Sequence, residues 1–195
     1  MKKWLMAVAI VSVMAGAAGA QSGTWQIDPA HTNAQFVVRH LGISNVQGEF
    51  TKISGTAQID DQDISKSSVN ATIDVASVDT RVQARDNDLK SEHFFDAAKY
   101  PTLTFQSTKI AKTGNGTLKM TGNLMIHGVT KEVTFDVTGP TAPIKVMGVR
   151  RGLSATTTIN RQDFGLTYDS DKLASGDFMI GNDIKITLDV ELTQK

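Results

Sequence analysis

Apolar and polar residues alternate along most of the chain, most clearly in Phe36, Val38 and His40; Val69, Ala71, Ile73 and Val75; Leu118, Met120, Gly122, Leu124 and Ile126; Val133, Phe135 and Val137; and Ile184, Ile186, Leu188, Val190 and Leu192. A period of two sends successive side chains to opposite faces of a strand, so each run predicts a strand with one buried face. Turn-forming clusters separate the runs at Gly42 to Asn45, Asp60 to Asp63, Gly114-Asn115-Gly116 and His127-Gly128. The last is short enough for a two-residue hairpin, with His127 as a turn residue that tolerates positive φ. The run from Val46 to Asp60 changes phase, from Val46, Gly48 and Phe50 to Ile53, Gly55, Ala57 and Ile59, which predicts a bulge or corner near Ser54. At ~3.3 Å per residue this run would reach roughly 50 Å, and long bent strands suit a closed barrel better than a short-stranded sandwich. Eight or nine strands joined as a meander are expected, a number whose barrel interior has room for one small ligand.

Helical spacing replaces alternation only between Asp79 and Pro101. Thr80 with Gln83 matches a capping box, and Val82, Arg85 and Leu89 continue the spacing, so a helix from about Arg81 to Lys90 is expected. Ser91 is the expected cap of a second short helix carrying Phe94 and Phe95 and ending before Tyr100-Pro101. The helical insertion, about residues 80–98, is expected to close one barrel mouth or lean on its side. From Arg161 to Asp183 no period is visible and Gly, Asp and Ser dominate, predicting a long, partly irregular loop.

The first twenty residues change the picture of where this barrel works. Lys2 and Lys3, an apolar run from Leu5 to Ala18 and the small residues Ala18-Gly19-Ala20 read as an export signal over 1–20, followed by a single domain over 21–195. The apolar run is shorter than the ~20 residues of a membrane-spanning helix, so no integral membrane segment is expected after its removal. The chain balances 20 Lys+Arg against 20 Asp+Glu, and loss of Lys2 and Lys3 leaves the remainder at −2. That balance argues against a nucleic-acid partner. With no cysteine, disulfides, thiolate metal sites, thiol catalysis and a lipoprotein anchor are excluded.

Catalytic signatures are missing: no G-x-S-x-G, S-x-x-K, H-E-x-x-H or phosphate-binding glycine loop is present, and Asp163-Phe164-Gly165 lacks every other kinase element. His31, His40, His93 and His127 are scattered without metal-ligand spacing, so no metal and no catalytic residue is assigned. His40 continues the inward face of Phe36 and Val38, either as a hydrogen-bonded residue at the barrel end or as a polar anchor for a ligand head group. Arg81 and Arg85, four apart on the expected helix, would share a face that either grips a pyrophosphate or pairs with Asp86 and Asp88 in solvent. Phe36, Val38, Phe50, Ile73, Phe105, Met120, Leu124 and Phe135 are either the core of a filled barrel or the lining of an apolar pore, and periodicity does not choose between these.

Several stretches together resemble one family: Trp25-Gln26-Ile27-Asp28-Pro29-Ala30-His31 leading into Phe36 to His40; Gly48-Glu49-Phe50; Asp79-Thr80-Arg81 through Arg85 to Ser91, then Phe94-Phe95-Asp96 and Tyr100-Pro101; and Arg161-Gln162-Asp163-Phe164-Gly165. In that order and over about Thr24 to Leu192 they are similar to the YceI-like family of exported, lipocalin-like proteins that bind polyisoprenoids. The resemblance implies an eight-stranded antiparallel lipocalin-like barrel, a periplasmic location, dimerisation, and a long isoprenoid tail, of a quinone or a polyprenyl phosphate, in the pore. It implies a binding protein with no cofactor beyond the lipid. One departure stands out: Asn87-Asp88-Leu89 replaces a sequence in which many members carry a histidine before the leucine. Two other readings stay open, a periplasmic hydrolase or isomerase using histidines at the mouth, and a ligand-free module docking a membrane redox partner.

Overall fold

Eight antiparallel strands follow one another around a closed barrel in the computed structural model, which describes residues 22–194. The expected export signal over 1–20 lies outside the described residues. The strands are β1 in two segments, Gly23–Ile27 and Asn33–His40; β2 in two, Ser44–Phe50 and Ile53–Ile59; β3 in two, Ser68–Asp74 and Val78–Asp79; β4 Thr102–Gly114; β5 Thr117–Ile126; β6 Val129–Thr138; β7 Val149–Asn160; and β8 Ile180–Gln194. Each pairs with the next, and β8 closes the ring by pairing with β7 from Val149↔Gln194 to Asn160↔Asp183 and with β1 through Ile186↔Phe36 and Leu192↔Ile27. The expected meander is therefore the observed one. Closure leaves no free edge between β8 and β1, which is how an all-antiparallel sheet avoids exposing unpaired backbone.

The phase change read in β2 is a break in the strand at Thr51 and Lys52, two to three residues before Ser54, and it belongs to a corner shared by three strands. β1 breaks after Ile27 because Asp28-Pro29 cannot continue the ladder: proline lacks a donor, and the Asp28 side chain accepts the Ala30 N–H at 3.0 Å. β3 breaks at a 3₁₀ turn, Val75–Ser77, started by the Asp74 side chain accepting from the Ala76 N–H at 2.9 Å. The β2 and β3 breaks are stitched together: Thr51 N–H donates to the Ser77 carbonyl at 3.1 Å and Lys52 N–H to the Ser77 hydroxyl at 3.1 Å. Inward positions accordingly switch parity in β1, from Trp25 and Ile27 to Ala34 and Phe36, as they do in β2.

The hairpin between β5 and β6 turns on His127 (φ 52°) and Gly128 (φ 73°), the positive-φ pair expected of a two-residue connection. The helix is shorter than expected: α1 spans Gln83–Lys90, and its first turn has no capping box. Thr80 is instead held by Asp86, whose carboxylate accepts the Thr80 N–H at 2.8 Å and its hydroxyl at 2.6 Å. Arg81 precedes the helix at φ 64°, so it does not share a helical face with Arg85. Residues 91–100 are turns, not the expected second helix. β8 begins at Ile180, so the irregular connection after β7 ends before Asp183. No helix among the described residues is long and apolar enough to cross a membrane.

Strand direction gives the barrel two ends. The mouth carries the β1–β2 turn, α1 with residues 91–101, the His127-Gly128 turn and the connection 161–179; the floor carries residues 60–67, the Asn115-Gly116 turn and residues 139–148.

A cavity open at the barrel mouth

Inward side chains leave a cavity of about 430 Å³ running from the mouth toward the floor. All eight pore-lining candidates, Phe36, Val38, Phe50, Ile73, Phe105, Met120, Leu124 and Phe135, face it. Glycine makes room for two of them: a Cβ on inward-facing Gly48 would strike the Phe36 ring, and one on Gly122 the Phe105 ring. The upper wall is aromatic, with Phe36 and Phe50 at 5.7 Å between ring centres and Phe50 edge-on to Phe95 at 5.7 Å. Phe105 and Phe135 meet edge-on at 5.3 Å lower down.

Among the described residues, the charged side chains that line the cavity lie near the mouth. His40 is exposed on the rim, and Arg85 lines the opening beside Asp88 and Leu89 of α1, while Arg81 lies off the lining. Arg85 is held from behind, its Nε donating to the Thr80 hydroxyl at 2.8 Å and one terminal nitrogen to the Thr80 carbonyl at 2.9 Å. That leaves its other terminal nitrogen without a protein partner among the described residues. Arg39, also on the rim, donates to the Gly42 carbonyl at 2.7 Å and fixes the β1–β2 turn.

The sequence pattern did not single out Arg161, which is 3% exposed and lines the mouth. Its guanidinium donates to the carbonyls of Leu166 and Tyr168 at 2.7 Å each, Ile180 at 3.0 Å, Gly181 at 3.2 Å and Asp169 at 3.3 Å, and to the Ser170 hydroxyl at 3.1 Å. No carboxylate among the described residues forms an ion pair with it. Burial lowers its pKa, with the nearby Asp169 charge opposing, and a guanidinium still stays protonated at physiological pH. Its membership in Arg161-Gln162-Asp163-Phe164-Gly165 was the only signal available. Across the opening, His93 stacks on Tyr168 with ring centres 4.4 Å apart and planes at 1°, joining the segment after α1 to the 161–179 connection.

The floor is closed by a different device. Arg151 points inward at 5% exposed and pairs with both oxygens of Asp61 at 2.6 Å, its guanidinium 4.8 Å from the centre of the buried Trp25 ring. Ile110, Leu118, Phe135, Val137 and Ala155 form a separate apolar cluster at this end, with Ile64 packed against it.

The histidines do not assemble a catalytic set. His31 lies near the floor with Asp28 at 2.9 Å, and His93 at the mouth with Asp88 at 3.0 Å; among the described residues neither ring bonds a serine or threonine hydroxyl. Asp28, His31 and Glu191 cluster closely enough to suggest a cation site, but Arg150 donates to both carboxylates and already supplies the positive charge. The hydrogen bonds from His31, Ala30 and Arg150 lower the Asp28 pKa to about 2.

A family model described as the YceI-like domain matches residues 25–192. A UPF0312 protein of Vibrio parahaemolyticus is 39% identical over 169 residues, covering 85% of this chain and 89% of its own length. Among solved structures, BcnA of Burkholderia cenocepacia is similar with a TM-score of 0.73 at 25% identity, over 85% of this chain and 98% of that one. A polyisoprenoid binding domain from Saccharophagus degradans, implicated in plant cell wall breakdown, has a TM-score of 0.64 at 17% identity, over 90% of this chain and 100% of that one, a likeness of fold.

Proposed function

Since this chain belongs to the YceI-like family, we propose that it is a non-enzymatic periplasmic protein, exported by the signal over 1–20, whose single domain binds and stores or carries a polyisoprenoid or similar amphiphilic lipid. The observation that carries this reading is the apolar cavity of about 430 Å³ with one open mouth. It falls within the ~300–1,000 Å³ usual for ligand sites. Each methylene moved from water into it gains ~0.8 kcal/mol, so a dozen contribute roughly 10 kcal/mol, within the range that association costs. The likeness to a polyisoprenoid binding domain supports the same ligand class.

The lipid tail lies against Phe36, Phe50, Leu124 and Phe135, and the head group, of a quinone or a polyprenyl phosphate, sits by Arg85 and His40. Arg85 suits that role because Thr80 orients it and one terminal nitrogen remains free. The enzyme reading has little to work with, because His31 is near the opposite end from the mouth. The ligand-free module loses its premise in a barrel that is not filled.

Native mass spectrometry of protein purified from periplasm without detergent tests the proposal. A stoichiometric isoprenoid adduct is expected, together with its loss in Leu124→Asp and Phe135→Asp variants that retain β circular dichroism. Folded variants that keep as much lipid as the parent would overturn it.

A further inference from the structure

β6 and β7 are neighbours in the barrel wall but pair over a short stretch only. Their ladder consists of Ser154↔Thr138, Ala155↔Val137 and Thr156↔Asp136. On its other side β6 pairs along its whole length, from Thr117↔Thr138 to Ile126↔Val129, and β7 pairs with β8 from Val149↔Gln194 to Asn160↔Asp183. The two strands therefore part above Asp136 and Thr156, on the mouth side. Just above the last rung the Thr157 hydroxyl reaches across and donates to the Thr134 carbonyl at 2.9 Å. At ~3.3 Å per residue the stretch of β6 left unpaired on this side, residues 129–135, is on the order of 20 Å long.

This slit leads to the cavity, since Phe135 on β6 and Ile159 on β7 both line it. The 3₁₀ turn Arg161–Phe164 covers its upper part, lying near both β6 and β8. Phe164, 2% exposed, and Leu166 belong to the same apolar cluster as Ile126 and Ile159, against which Val129 and Val133 pack. The hydrogen bonds of the covering segment run toward β8: Arg161 donates to the carbonyls of Ile180 and Gly181 at its start. Among the described residues, none joins residues 161–168 to residues 127–138. A fully paired seam must break its backbone ladder to open. This one gives up mainly apolar contacts, which are non-directional and which a passing lipid tail replaces.

We propose that the slit between β6 and β7 is a side passage for the lipid, through which the tail moves broadside between the cavity and an acceptor bilayer while the head group stays at the rim. The inference rests on the lipid-binding reading and adds the route. Opening parts β6 from a unit made of β7, the 161–179 connection and β8, which Arg161 holds together. Phe164 and Leu166 are the side chains that the tail displaces.

The chain has no cysteine, so the slit can be tied shut by design. Glu132→Cys with Asp163→Cys sets one exposed thiol on β6 and one on the covering turn. A flexible bismaleimide joining them lies outside the cavity and leaves the axial mouth open. Thr138→Cys with Ser154→Cys, bridged the same way across paired rungs, is the control. The readouts are the release rate of bound cis-parinaric acid into phosphatidylcholine vesicles and its equilibrium affinity, with each bridge verified by intact mass. The bridge over the slit should slow release at least about tenfold against the unbridged double variant and leave affinity within about threefold, because one passage serves both directions. The control bridge should change release less than about twofold. Thr157→Val, which removes the hydroxyl across the slit, should speed release about threefold, and it decides the matter where the bridge does not form. An unchanged release rate in the bridged protein or in Thr157→Val overturns the passage alone. So does equal slowing by the control bridge, or slowing matched by an equal gain in affinity, which is a tighter grip and not a closed route. A parent protein that binds no cis-parinaric acid overturns the lipid-binding reading and the passage with it.

Discussion

Both ends of the barrel bury an arginine, and the two are satisfied in opposite ways. At the floor, Arg151 meets a carboxylate on Asp61 and an aromatic face on Trp25, so its charge is neutralised where the cavity must end. At the mouth, Arg161 meets five backbone carbonyls and a hydroxyl, so its charge is solvated but not neutralised, and its reward is geometric: residues 166–181 are gathered around one fork of donors. A paired arginine closes an end; a carbonyl-caged arginine holds a loop in place beside an opening. The planar, five-donor guanidinium suits both tasks, whereas lysine suits neither.

The largest effect should come from breaking the pair at the floor. Asp61→Ala leaves a buried guanidinium without its counter-charge, a loss expected to cost about 3 kcal/mol, toward the lower end of the range for buried pairs because Asp61 keeps some solvent contact. For a domain of this size that lowers Tm by roughly 10 °C. Replacing both partners, Arg151→Met with Asp61→Ala, should recover most of the loss, because no orphaned charge remains. Thermal and denaturant melts of the three proteins read this out. A double variant no more stable than Asp61→Ala would show that the end is held by shape and not by charge.

Arg161→Ala should cost less globally, about 1–2 kcal/mol, because the carbonyls it abandons sit at a surface where water replaces it once the loop opens. The local effect should be large. Amide exchange across residues 166–181 is expected to quicken more than about tenfold while the β5–β6 hairpin keeps its protection. Arg161→Lys should behave like the alanine variant, since three donors on one nitrogen cannot span the carbonyl cage. Full rescue by lysine would mean that charge, and not the fork, organises the mouth.

Neither arginine was legible in the hydrophobic pattern, and the reason is physical. In Val149-Arg150-Arg151-Gly152 a charge at an inward parity reads as an outward residue, because its partner Asp61 lies 90 positions away in sequence. Arg161 draws its partners from loop backbone, which any residue supplies. What depends on side-chain period was legible: the strands, the meander, the His127-Gly128 turn and the eight inward residues along the cavity. The corner was misplaced by two to three residues because it is made by hydrogen bonds between β2 and β3, and only β2 betrays itself by a long uninterrupted run. The start of α1 was misplaced because Thr80 spends its hydroxyl on Asp86 and not on a helix terminus.

The smallest effect sharpens the same contrast through acid. Beside the floor arginine, Arg150 is bound by Asp28 and Glu191, and the Asp28 pKa is lowered to about 2 by its bonds to His31, Ala30 and Arg150. A carboxylate whose folded pKa lies below its unfolded one stabilises the fold above about pH 4, and that contribution fades as pH falls toward about 2. Carbonyls do not titrate, so the cage around Arg161 has no such dependence of its own. Lowering the pH from 4 to 2 should therefore loosen the ladder around Arg150↔Thr193 and Gln26↔Thr193 before it loosens residues 166–181, as read by amide exchange. Asp28→Asn should flatten the stability profile over that interval while starting from a lower value at neutral pH. If the variant lost stability on acidification as steeply as the parent, Asp28 would not be the group that makes the closed end acid-sensitive.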